Sequence, residues 1–139
     1  MKTITVKSHA ELNALVAEKV MAWKPKKRKQ YAGEKNVRGW EKVDPYGNNQ
    51  FISNILCFEL YSTDISAAWK VVEKIRGGYV VVNIYGNISA YVCEIIDTDS
   101  DEPPFATIRE SQTAPLAICL CALAFFGIEV KLEMPELKQ

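Results

Sequence analysis

At 139 residues, 48% of them hydrophobic, the chain is sized for one domain with a real core, which excludes wholesale disorder. Its 17 Lys/Arg balance 17 Asp/Glu, but residues 1–42 hold eleven Lys/Arg against four Asp/Glu, net +7, and residues 43–139 hold net −7. That split fits either an anionic partner near the first part or attraction between two parts of one fold.

The first predicted helix covers about residues 9–23. Ser8 and Glu11 form a capping box in which each side chain accepts from the other's backbone N–H. Behind it Leu12, Leu15, Val16, Val20 and Trp23 recur at three- and four-residue spacing and make one apolar stripe. Pro25 cannot continue a helix, so the stretch WKPKKRKQY reads as a helix stop followed by a cationic loop. From Lys26 to about Asn54 the pattern is irregular. Within it RGWEKVDPYGNNQFI predicts a hairpin, with Trp40 and Val43 on one arm and Phe51 on the other. Residues 24–60 are thus a basic, hairpin-bearing insertion in a single domain spanning 1–139.

The second predicted helix covers about 63–76. Ser62 or Thr63 stands at its N-cap, with Asp64 in the first turn. Ile65, Ala68, Trp69, Val72 and Ile75 are its expected buried stripe, Lys70, Glu73 and Lys74 its wet side, and Gly77–Gly78 its stop. YVVVNIY and SAYVCEII then form a hairpin over 79–96 around Gly86–Asn87. Apolar residues on each face of these strands predict a sheet covered on both sides. FATI is a third strand. The last helix, about 114–126, begins at Thr113–Pro115 and is capped by Gly127. Its apolar residues surround the axis, which predicts burial on all sides, including against a second copy of the chain. The sum is an α+β fold, a small α/β/α sandwich around a mainly antiparallel sheet.

Catalytic signatures are missing from this pattern. His9, the single histidine, falls off the apolar stripe and reads as a surface residue, so no nucleophile–histidine arrangement is expected. Cys57, Cys93, Cys119 and Cys121 lack zinc spacing and sit in apolar runs, as core residues of a reducing compartment do. Asp97, Asp99, Asp101 and Glu102 begin like a calcium loop. The imitation fails at Glu102, which takes the place of the turn glycine, and at Ile108, which takes that of the bidentate glutamate. Gly77–Gly78 precedes a strand, whereas phosphate-cradling glycines follow one. No metal and no cofactor is expected. Asp64, Arg109, Glu110 and Thr113 are the polar set an enzyme reading would have to use.

The basic stretch keeps two readings. One is a solvated cationic loop. The other is an anion-binding loop in which Lys26, Lys27, Arg28 and Lys29, with Arg109, supply charge, and Trp23, Tyr31 and Trp40 supply rings for stacking. Zero net charge and the lack of a helix-turn-helix argue against nucleic acid as the partner. No apolar run is long enough for a membrane-spanning helix, and the first twelve residues carry no secretion signal.

Three stretches, LNALVAEKVMAW, YSTDISAAWKVVEKI and TAPLAICLCALAFFGIEV, resemble the phage ABA sandwich family, small and largely uncharacterised phage and prophage proteins. The residues that match its pattern are Trp23, Ser62, Thr63, Asp64, Trp69, Thr113, Ala114 and Pro115, and the likeness covers about half the chain. The resemblance implies a sheet layered with helices and a working place in the cytoplasm of an infected bacterium, where a nuclear import address has no use. It supplies no reaction. The expectation is therefore a non-catalytic, homo-oligomeric phage or prophage protein that sequesters a host nucleotide-derived immune signal. The alternative is an interaction module that binds and inhibits a host defence or phage-replication protein.

Overall fold

The computed structural model describes residues 1–29, 36–43, 46–52, 59–77, 79–98 and 105–134. In chain order the elements are β1 (Lys2–Val6), α1 (His9–Lys19), β2 (Lys24–Lys29), β3 (Asn36–Val43), β4 (Asn49–Ile52), α2 (Ile65–Ile75), β5 (Val80–Gly86), β6 (Tyr91–Asp97), β7 (Phe105–Ser111), α3 (Ala114–Phe125) and β8 (Ile128–Leu132). The strands form a parallel pair β1–β8 and two three-stranded antiparallel sheets, β2–β3–β4 and β5–β6–β7.

Helix α1 is capped as the sequence predicts on one side only. Ser8 Oγ accepts from Glu11 N at 3.1 Å, but the Glu11 carboxylate accepts from Lys7 N at 2.8 Å in place of Ser8 N. The helix stops at Lys19, short of the expected residue 23, because Ala22 turns the chain with φ 64°. Val20 and Trp23 lie beyond the helix and are still buried, so the stripe holds its contacts while its last members change element. The basic stretch that follows is strand β2, not a loop. It pairs antiparallel with β3 from Lys24↔Glu41 to Lys29↔Asn36. As the edge of its sheet it tolerates Pro25, which has no N–H to give to a ladder. The expected second hairpin is β3–β4, with Trp40 opposite Ile52 and Val43 opposite Asn49.

Asp64, not Ser62 or Thr63, caps α2, accepting from Ser66 N at 3.0 Å. The buried residues of α2 are Ala67, Ala68, Val71 and Val72, and Ile65 and Trp69 are left exposed. The apolar arc of this helix is wide enough for two registers. The one with small residues wins, since Ala67 and Ala68 let α2 come close to α3.

Helix α3 lies at the centre. Thr113 Oγ1 accepts from Leu116 N at 3.3 Å, Pro115 sits in the first turn, and Gly127 (φ 87°) closes the far end by donating to Ala124 O at 2.9 Å. Leu116 to Cys119 and Cys121 to Ala124 are all buried, among β5, β6, β7, β8, α1 and α2 of the same chain. The all-round apolar pattern is thus satisfied inside one protomer and does not by itself call for a second copy. β8 returns directly from Gly127 to pair in parallel with β1, Lys2↔Ile128 through Val6↔Leu132, a strand pair that sequence reasoning missed.

The helices cover one face of the β5–β7 sheet. Cys93, Ile95 and Thr107 are buried on it, whereas Val81, Tyr85 and Ile108 on the other face are exposed. The expected covering of both faces holds for one of them among the described residues.

An alanine in the left-handed region carries a penalty of about 1 kcal/mol that glycine escapes. Ala22→Gly is therefore expected to raise the unfolding free energy by up to about 1 kcal/mol, seen in urea as a higher midpoint with unchanged m-value.

Candidate functional site

The cations of the first part are gathered by β2 and β3. Residues 24–43 hold eight Lys/Arg against two Glu. The pairing register sets position 27 (Lys) directly across from position 38 (Arg). At the root of this hairpin, where the chain leaves α1, is a cavity of about 340 Å³. Met21, Ala22, Lys24, Glu41, Lys42, Val43 and, from α2, Lys74 line it. Three lysines, from β2, β3 and α2, thus share one concavity with Glu41. Lys42 Nζ stands 5.4 Å from the centroid of the Trp23 ring, a cation–π distance that fixes this lysine over the core.

The predicted rings take a different place from the one expected. Trp23 is buried and Trp40 is half-buried against the core, so both brace the cationic strands from beneath and neither is a free stacking platform. Tyr31 lies outside the described residues. Lys26, Lys27, Arg28 and Lys29 are placed by the backbone along β2. Arg109 is not brought to this cavity. It lies on β7, where Nη2 donates to Glu129 Oε2 at 2.6 Å and Nη1 to Ile108 O at 2.6 Å. Lys24, Lys42 and Lys74 were missed by sequence reasoning. Only the charge density of the stretch signalled the first two, and nothing local signals a lysine some thirty residues further on.

The turn before α2 locks this root to α1. Tyr61 is buried and takes a hydrogen bond from the Trp23 side chain. Burial, reinforced by the nearby Glu59 carboxylate, pushes its phenol up to about 12, and the Trp23 bond opposes that rise. Ser62, also buried, donates from N (2.8 Å) and from Oγ (2.7 Å) to Asn13 Oδ1, and its Oγ stands 2.9 Å from His9 Nδ1. A hydroxyl has one hydrogen, and here it points at Asn13. His9 must then donate from Nδ1 to Ser62, which is the reverse of what a general base does. His9 is half-buried in this clamp and is not the free surface residue expected.

The other residues singled out by sequence do local work. Asp64 and Thr113 cap helices, Pro115 starts α3, and Thr63 and Trp69 are exposed. Cys93, Cys119 and Cys121 are buried free thiols. Hydrogen bonding with Cys121, then burial, raises Cys93; burial raises Cys119; and Cys121 Sγ donates to Thr107 O at 3.2 Å. Cys57 and the acidic residues Asp99, Asp101 and Glu102 lie outside the described residues. Among the described residues no three His, Cys, Asp or Glu are grouped to share a metal ion, and no helix is long and apolar enough to cross a membrane.

The family model for the phage ABA sandwich domain matches residues 14–123, from within α1 to near the end of α3, and includes the whole cationic sheet. No curated protein and no solved structure matches the chain.

The Tyr61 phenol is raised from an ordinary value of 10 to about 12. Its neutral form is thus favoured by folding, and that contribution is complete below about pH 10 and lost as pH rises towards about 12. Stability is expected to fall across that window by up to about 1.4 kcal/mol per pH unit more in the wild type than in Tyr61→Phe. Urea unfolding of both proteins at stepped pH checks this, because the titration of all other groups cancels in the difference.

Proposed function

The chain belongs to the phage ABA sandwich domain family, and from that premise we propose that it is a non-catalytic binding protein of a phage or prophage. Its ligand is an anionic, nucleotide-like small molecule of the infected bacterial cytoplasm, a host immune signal held out of circulation. The observation that carries this reading is the convergence of Lys24, Lys42 and Lys74 on one cavity of about 340 Å³. That volume is at the lower end of what small-molecule sites occupy, enough for a mononucleotide.

Three lysines against the one Glu41 carboxylate leave the cavity positive, which favours holding an anion. Phosphate oxygens are matched by ammonium groups, and Lys42 is already oriented by Trp23, so less side-chain freedom is lost on binding. The run Lys26–Lys29 extends the positive field along β2 and would speed the encounter with an anion. Groups an acid–base mechanism would need are engaged elsewhere, the Ser62 hydroxyl by Asn13 and Arg109 by Glu129.

Calorimetric titration with a panel of nucleoside phosphates and cyclic nucleotides tests the reading. Micromolar or tighter binding is expected, weaker at higher salt. Lys42→Glu and Lys74→Glu should each weaken it at least about tenfold. The nucleotide should be recovered chemically unchanged after hours. Absence of binding across the panel, or binding indifferent to both reversals, would remove the proposal.

A further inference from the structure

The face of the β5–β7 sheet that no described helix covers is built unlike an ordinary wet face, although Val92 in its central strand is buried. Strand register sets Val81, Ile96 and Ala106 in one row, Asn83, Glu94 and Ile108 in the next, and Tyr85, Val92 and Glu110 in the third. A solvated face of an antiparallel sheet normally alternates to polar residues. Here Val81, Tyr85 and Ile108 are 44%, 52% and 47% exposed. Charge on the face is of one sign. Glu94, which accepts from Asn83 Nδ2 at 3.2 Å, and Glu110 are its charged residues. The single base of the three strands, Arg109, belongs to the opposite register and is paired with Glu129. Glu110 stands at the end of this face, beside a cavity of about 350 Å³ whose walls of Ser111, Leu116, Leu132 and Met134 belong to the helix-covered side.

We infer that this face docks an amphipathic, basic helix of a partner protein. The helix would lay its apolar side on Val81, Tyr85 and Ile108 and oppose Glu94 and Glu110 with Lys or Arg. Size fits the occupant: three strands span two spacings of about 4.8 Å, close to the diameter of about 10 Å of one helix with its side chains. Charge selects it over a second copy of this chain, because isologous pairing of two such faces would bring carboxylates of one sign together. The surface is separate from the lysine-lined cavity and does not depend on the ligand proposed there.

The full chain is titrated with a synthetic helix of about 18 residues (about 27 Å) made of leucine and lysine at helical spacing, and with its leucine–glutamate counterpart. Hydrogen–deuterium exchange and fluorescence anisotropy are the readouts. The lysine helix is expected to protect residues 80–86, 91–97 and 105–111 and to bind at least about tenfold tighter than the glutamate helix. Tyr85→Lys and, as the milder change, Glu110→Gln should each weaken it several-fold, and Lys74→Ala should leave it unaltered, which separates this surface from the anion site. Protection elsewhere, equal binding of both peptides, or indifference to both face variants would overturn the inference. So would a dimer in light scattering that Tyr85→Lys dissociates, since the second copy would then own the face.

Discussion

A twelve-residue helix without one charged side chain has to be covered on every side, and the architecture follows from that requirement. Ala114–Phe125 buries eight of its residues, and each large aliphatic among them contributes about 1.5–3 kcal/mol relative to exposure. No single neighbour can cover it. The β5–β7 sheet takes one side with Cys93 and Ile95, α2 another with its two alanines, and α1 and β8 the rest. Charged groups are displaced to the periphery, which is where the lysine-lined cavity and the acid-edged sheet face both lie.

Polar residues enter this core only where they can be fully paired. Ser62 and Asn13 are buried, and unpaired they would cost about 1–3 kcal/mol each. They satisfy one another, with His9 completing the clamp between α1 and the turn before α2. One residue earlier in that turn Tyr61 meets Trp23, whose ring carries Lys42. Core, turn and cationic site are therefore mechanically continuous, and Trp23 and Ser62, which the sequence marks as family residues, are the links. Their work is to hold the cavity wall in place.

Local signals were the legible part of this fold. Ser8, Thr113 and Gly127 announced helix ends through backbone groups that need partners, and Gly86–Asn87 announced the hairpin between β5 and β6. What resisted reading depends on distance or on competition. β1 and β8 are five residues each, pair in parallel from opposite ends of the chain, and have no turn between them to betray the match. On α2 two apolar registers were available, and the choice was made by the close approach of α3, which no local pattern contains. Five cations with a proline do not look like a strand, and β2 becomes one because β3 supplies its ladder. For the site, the charge was visible in advance; its focus was not, since Lys74 comes from another element and the rings turned inward.

The uneven charge of the chain could have meant that its two parts attract one another. Several ion pairs lie within one part: Glu18–Lys19 in the first, and Glu59–Lys70, Arg109–Glu129 and Lys131–Glu133 in the second. Exposed pairs of this kind contribute little to stability. Cations set side by side on one ribbon repel, an expense that folding alone does not require. A multivalent anion at the root of the ribbon removes the repulsion and gains the attraction at once, and only in the bound state. The same reasoning applies with reversed sign to Glu94 and Glu110 on a sheet face that is apolar apart from Asn83. In both places charge of one sign predominates, and that sign states what kind of partner would complement it.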